Sequence, residues 1–197
     1  MSAVTGARIG PNAIIRVAEV MRETVGEAGT ADVFREAGLQ PYLDALPEHM
    51  VDEREVTELH HALRATLGDE RARAVSHEAG LRTGDYLLAN RIPRLAQRVL
   101  KVLPPRLAAR VLLAAIGKHS WTFAGSGVFK AEPGNPVRVS IAGCPVCHGM
   151  AADGPICAFY AGTFERLFRT LVSRRTVVTE TACQATGAPA CAFELRW

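Results

Sequence analysis

Residues 156–171 read Ile-Cys-Ala-Phe-Tyr-Ala-Gly-Thr-Phe-Glu-Arg-Leu-Phe-Arg-Thr-Leu, and residues 175–197 read Arg-Thr-Val-Val-Thr-Glu-Thr-Ala-Cys-Gln-Ala-Thr-Gly-Ala-Pro-Ala-Cys-Ala-Phe-Glu-Leu-Arg-Trp. In the first stretch Ile156, Phe159, Tyr160, Phe164, Leu167 and Leu171 recur at helical spacing, which predicts an amphipathic helix. Asp153 and Pro155 are its expected cap and first-turn residue. In the second, Arg175–Glu180 and Ala192–Trp197 are strand-forming runs around a turn holding Gly187 and Pro189, which predicts a hairpin. Closing that turn brings Cys183 and Cys191 together, with Glu180 one step further back.

Upstream, Trp121–Lys130 and Val137–Ala142 read as two more strands, joined by the turn signal Glu132-Pro-Gly-Asn-Pro136. Before them the periodicity is helical. Ile14, Val17, Ala18, Met21 and Val25 form one helical face, stopping at Gly26 and Gly29. Val56, Leu59, His60, Leu63 and Leu67 form another, capped by Asp52 and ended by Gly68. A third starts at Asp69 and breaks near Gly80–Gly84. A basic amphipathic segment begins at Pro93, is interrupted by Pro104-Pro105 and resumes to Gly117. The expected fold is α+β, an antiparallel sheet of two hairpins packed with helices. Residues 1–118 form its helical N-terminal part and 119–197 its hairpin-helix-hairpin part, the two packed as one compact domain.

A chain of 197 residues with 48% hydrophobic and 22% charged residues has the composition of an ordinary water-soluble protein. No apolar run approaches the roughly 20 residues that span a bilayer. The start, Met-Ser-Ala-Val-Thr-Gly-Ala-Arg, lacks the apolar core of a secretory signal. Five cysteines, clustered in the last third, argue against a secreted disulfide framework and for a reducing cytoplasm. The net charge of +3 conceals an asymmetry. Residues 1–85 carry nine arginines against fifteen acids, and no acid occurs between Asp85 and Glu132. That stretch holds Arg91, Arg94, Arg98, Lys101, Arg106, Arg110, Lys118 and Lys130. Arg91, Arg94, Arg98 and Lys101 share a helical face, which is solvated or meets an anionic ligand, partner or lipid surface. Nucleic acid is not expected, because no binding motif is present and no aromatics interleave with the basic residues.

Cys157, Glu180, Cys183 and Cys191 are three soft sulfurs and a carboxylate, a donor set suited to closed tetrahedral Zn²⁺. Small buried core cysteines are the alternative, since paired CxxC units are missing. Cys144-Pro-Val-Cys147-His148 contains a single CxxC. It is a structural pair, part of a metal site, a redox pair or, with His148, a haem-attachment motif, although haem attachment requires export. His119, His148, His60 and His77 are candidate axial ligands for a tetrapyrrole metal, each weighed against an ordinary surface or core histidine. His119 and His148 are preferred because they flank the predicted sheet. Gly125-Ser126-Gly127 reads as a bulge or a close backbone approach to a ligand.

The run from Cys157 to Phe168, followed by Glu180-Thr-Ala-Cys183 and Gly187-Ala-Pro-Ala-Cys191-Ala-Phe-Glu194, resembles the four-vinyl reductase domain family. That family includes ligand-sensing domains of regulators of phenol and xylene breakdown. The resemblance covers Cys144–Trp197 and implies a structural zinc on Cys157, Glu180, Cys183 and Cys191. As a whole the chain is similar to the bacteriochlorophyll-biosynthesis branch of the family. This implies a protein that holds or delivers a porphyrin or chlorophyllide intermediate, with His119, Trp121, His148, Arg94 and Arg98 as tetrapyrrole contacts. It also implies partner enzymes of that synthesis, a homodimer, and a place in the cytoplasm at the periphery of the photosynthetic membrane. The family name implies instead a reductase of the 8-vinyl group of a divinyl (proto)chlorophyllide. Vinyl reduction needs a redox cofactor, and no dinucleotide or cluster motif is visible. A small-aromatic sensor is a third reading.

Overall fold

The structure, a computed structural model, describes residues 6–197; residues 1–5, the first part of the stretch read for a secretory signal, lie outside it. The chain runs through strand β1 (Arg8–Ile9), helix α1 (Asn12–Glu36), the short α2 (Pro41–Asp44), β2 (Val51–Asp52), α3 (Glu53–Leu67) and α4 (Asp69–Asn90). It continues with α5 (Arg94–Val102), α6 (Pro105–Lys118), the one-turn α7 (Trp121–Ala124), β3 (Val128–Glu132), β4 (Val137–Ala142) and α8 (Ala158–Leu171). The end is β5 (Val177–Ala182), a 3₁₀ turn at Gln184–Thr186 and β6 (Cys191–Arg196). The main sheet is antiparallel in the order β3-β4-β6-β5, so two hairpins abut through β4 and β6. β1 and β2 pair separately. This is the α+β architecture expected from the sequence.

Alternation in the central strands sets which face is covered. Val137, Val139 and Ile141 of β4, and Cys191, Phe193 and Leu195 of β6, are buried together in register, Val139 opposite Phe193 and Ile141 opposite Cys191. That face lies against α8, where Tyr160 and Phe164 meet Phe193 at ring-centroid distances of 6.4 and 5.6 Å. On its other side α8 packs along α4, and α1 and α3 cover α4 in turn. One buried apolar cluster runs from Ile9 to Leu195.

Several expectations are corrected. The sequence places a break at Gly80–Gly84, but α4 runs through it to Asn90. These glycines are where two helices touch. A side chain at Gly80 would run into the Phe159 carbonyl, one at Gly84 into Arg166, and one at Gly162 into the His77 carbonyl. The close approach offsets the weak helix propensity of glycine. Asp85–Arg166 (2.6 Å) and His77–Glu165 (3.7 Å) link the same two helices along their exposed rim. The expected stop at Gly26 is a kink: φ is +74° there, and helical structure resumes to Glu36.

The first predicted strand begins at Val128 rather than Trp121. Residues Trp121–Ala124 make a helical turn, held to α8 by the Tyr160 hydroxyl, which donates to the Phe123 carbonyl at 2.8 Å. Gly125-Ser126-Gly127 follows as a turn pinned by Glu53, whose carboxylate accepts from the Ser126 amide (2.8 Å) and hydroxyl (2.7 Å). Gly127 does approach backbone closely, but that of Ala142 and Gly143 at the end of β4 rather than a ligand. Asp153 and Pro155 do not cap α8. Cys157 stands at its N-cap, and its amide donates to Glu180 Oε2 at 2.7 Å. The Glu180 side chain, reaching over from β5, supplies an oxygen acceptor at this helix start. The Asp52 cap of α3 is as expected, its side chain accepting from the Arg54 amide at 2.9 Å.

Candidate metal centre

Where the β5–β6 hairpin meets the first turn of α8, all five cysteines are buried and reduced. β6 begins at Cys191, facing inward like Phe193. Cys157 enters from the start of α8, and Cys144 and Cys147 come from the tight turn after β4, where the Cys147 amide donates to the Cys144 carbonyl. A bulge delivers the remaining two donors. Glu180 pairs with Phe193 but Ala182 pairs with Ala192, so Thr181 is an extra residue in β5. The added residue shifts the alternation by one, and Cys183 follows Glu180 onto the inner side.

The sulfurs lie at, or a few tenths of an ångström inside, the edge of a zinc tetrahedron. Cys157 Sγ is 3.5 Å from Cys144, 3.4 Å from Cys191 and 3.8 Å from Cys183; Cys191 Sγ is 3.3 Å from Cys147 and 3.8 Å from Cys183. A Zn–S bond of about 2.3 Å gives an edge of about 3.8 Å between ligand sulfurs. Cys157, Glu180, Cys183 and Cys191 have donor atoms all within 4.8 Å of one another. So do Cys144, Cys147, Cys157 and Cys191.

Burial and mutual hydrogen bonding set the protonation of these groups. Burial, with Cys183 beside it, pushes the Glu180 carboxyl up to about 8. Hydrogen bonding with Cys144 and the other thiols, reinforced by burial, pushes Cys157 up, and Cys144 likewise raises Cys147 to about 12. Cys183 and Cys191 are drawn down, chiefly through interaction with the thiols of Cys147 and Cys144 respectively. Glu180 Oε2 holds the Cys157 amide, while Oε1 is buried with no partner. An orphaned carboxylate oxygen aimed among thiols is a place where a soft divalent cation fits, and such a cation would replace the shared protons.

The structure therefore gathers Cys157, Glu180, Cys183 and Cys191 and adds Cys144 and Cys147 to them. Both thiols of the CxxC are turned inward, which removes the haem-attachment reading of Cys144–His148. The spacing of three in Cys144–Cys147 was the signal of a half-site; that it joins the same cluster depends on the β4–α8 loop folding back, which no local pattern encodes.

The five tetrapyrrole candidates lie elsewhere. His119 closes α6, exposed, its Nδ1 2.9 Å from the Ala115 carbonyl oxygen. Trp121 opens α7 and is 57% exposed. His148 is exposed in the loop after β4, where its carbonyl lies 2.8 Å from His61 Nε2. Arg94 and Arg98 lie exposed on α5. None of the five lines the open cleft of about 770 Å³ walled by His61, Arg64, Asp69, Met150, Ala152 and Thr186 among others. The histidine in the core is His60. Its Nε2 lacks a partner, its ring meets Phe159 edge-on at 5.8 Å, and burial, then the nearby Arg64 and His61, push its pKa down to about 4.

Along residues 137–197 the chain matches the V4R domain, over the stretch that carries the four-vinyl reductase resemblance. It is 50% identical over 191 residues to the bacteriochlorophyll synthase 23 kDa chain of Cereibacter sphaeroides, covering 95% of this chain and 90% of that one. To the protein of the same name from Rhodobacter capsulatus it is 42% identical over 189 residues, covering 95% and 86%. Among solved structures, the phenol-responsive sensory domain of the transcription activator PoxR superposes with a TM-score of 0.54 at 18% identity, over 76% of this chain and 78% of that one. An H-NOX protein from K. algicida superposes with a TM-score of 0.60 at 11% identity, over 95% and 96%. At these identities the two structures share the fold.

Proposed function

The chain belongs to the family of the bacteriochlorophyll synthase 23 kDa chain, and we propose that it holds a porphyrin or chlorophyllide intermediate of bacteriochlorophyll synthesis and delivers it between enzymes. The observation that carries this reading is the 50% and 42% identity to two proteins of that name over 95% of the chain. The tetrapyrrole is held by contacts from His119 or His148 to its metal, from Trp121 to its ring and from Arg94 and Arg98 to its propionates. A zinc ion on Cys157, Glu180, Cys183 and Cys191 ties the last hairpin to α8; with four protein ligands such a site is closed, and the ion supplies stability.

Helices α5 and α6 support a place at the membrane surface in the cytoplasm. Leu95, Val99 and Val102 on α5, and Leu107 and Val111 on α6, are exposed beside Arg94, Arg98, Lys101, Arg106 and Arg110. Apolar side chains within a basic, acid-free segment suit an anionic lipid surface and repel a like-charged copy of the same face. No helix among the described residues is long and apolar enough to cross a membrane. Homodimerisation therefore uses another face.

Incubation of the purified protein with divinyl protochlorophyllide, with and without NADPH, separates carriage from catalysis. Retention of the pigment with its mass unchanged is expected. Gain of two hydrogens in the presence of NADPH would make the protein a reductase and overturn the carrier reading.

A further inference from the structure

We propose that the thiol cluster is a binuclear zinc site in which Cys157 and Cys191 bridge two ions, with Cys144 and Cys147 completing one tetrahedron and Glu180 and Cys183 the other. This deepens the single-zinc reading of the preceding subsection and rests on it.

The two four-donor sets share Cys157 and Cys191 and no other residue. The shared sulfurs are 3.4 Å apart, a common edge for two tetrahedra. On one side of that edge Cys144 lies 3.5 Å from Cys157 and Cys147 lies 3.3 Å from Cys191. On the other, Cys183 lies 3.8 Å from both bridging sulfurs, and Glu180 offers its partnerless Oε1. A single tetrahedral ion takes four of these six donors. It would leave either two thiols or a thiol and a carboxylate buried against its own ligands.

Charge permits two ions. Six ionised donors carry −6 and two Zn²⁺ return +4, each thiol and the Glu180 carboxyl releasing its proton to solvent on binding. The remaining −2 meets donors already in place. The Gln184 amide points at Cys191 Sγ (3.4 Å), and the Cys157 amide points at Glu180 from the N-terminus of α8 (2.7 Å). One ion on four ionised donors leaves the same −2 but keeps two protonated donors buried against its ligands.

Native mass spectrometry of the zinc-loaded chain reads the stoichiometry directly. Two zinc ions per chain are expected in the wild type, and one after Cys147→Ser or after Cys183→Ser. One ion in the wild type, retained in Cys147→Ser, would overturn the second site and leave the first standing. No ion in the wild type would overturn both. Should Cys147→Ser fail to fold, cadmium-113 NMR of the wild-type chain decides alone. Two resonances, one of a four-thiolate site and one of a three-thiolate carboxylate site, support the pair, and a single resonance contradicts it.

Discussion

Glu180 in β5 and Cys183, the extended residue just after it, are three positions apart, an odd interval that in unbroken β-structure puts them on opposite faces, yet both face α8. The bulge at Thr181 makes the difference, and with it β5 presents a carboxylate and a thiol to the same buried point. A metal bound there would be linked to the docking of the whole hairpin. Cys183→Ser is expected to lower zinc content and thermal stability together, Tm falling by several degrees or more, since binding energy at a structural site is folding energy. Elemental analysis beside a calorimetric melt checks both in one sample; unchanged zinc would remove Cys183 from the site.

Gly80 lies beneath the Phe159 carbonyl at the α4–α8 crossing. Gly80→Ala should cost about 3 kcal/mol or more, since backbone on both sides prevents either helix from yielding. Gly154→Ala, where an added methyl group meets nothing within 4 Å, is the matched control and should be near neutral. Urea unfolding of the two variants tests the assignment of these glycines to helix contact.

His60 is buried and its pKa is pushed down to about 4. Between pH 6.5 and 4 the unfolded chain binds a proton at this residue that the folded chain does not, so the folded state loses stability as pH falls through that window. The loss approaches roughly 3 kcal/mol at the acid end. His60→Phe should remove this component. Comparing the pH dependence of wild type and variant isolates it from titration of the thiol cluster, which both share.

Leu95 and Val102 are 72% and 82% exposed. The double variant Leu95→Ser, Val102→Ser should leave stability within about 0.5 kcal/mol of wild type. It should lose most of the binding to vesicles containing anionic phosphatidylglycerol, measured by co-sedimentation at low salt. Equal binding by wild type and variant would detach this face from the membrane.

What the sequence reveals and conceals follows from the range of the interactions involved. Helix α3 is legible because its cap Asp52 and its stop Gly68 act within a few residues. Both hairpins are legible through strand propensity and turn residues. Gly80 and Gly84 mislead because a local reading sees helix breakers, whereas their role exists only once α4 and α8 meet. Glu180 illustrates the same limit at the site. Its place beside Cys157, Cys183 and Cys191 follows the family pattern, but its second task, capping α8 in place of Asp153, is set by the approach of β5. The union of Cys144 and Cys147 with that set likewise depends on tertiary folding.

The central claim is that this chain binds a tetrapyrrole of bacteriochlorophyll synthesis. Titration of the zinc-loaded protein with magnesium-protoporphyrin, following the Soret band and the quenching of tryptophan fluorescence, tests it most directly. The account predicts saturable binding near one pigment per chain, weakened at least about tenfold in Trp121→Ala, with the zinc content unchanged. A Soret band that does not move at any protein concentration, in a chain that is folded and zinc-loaded, would contradict it.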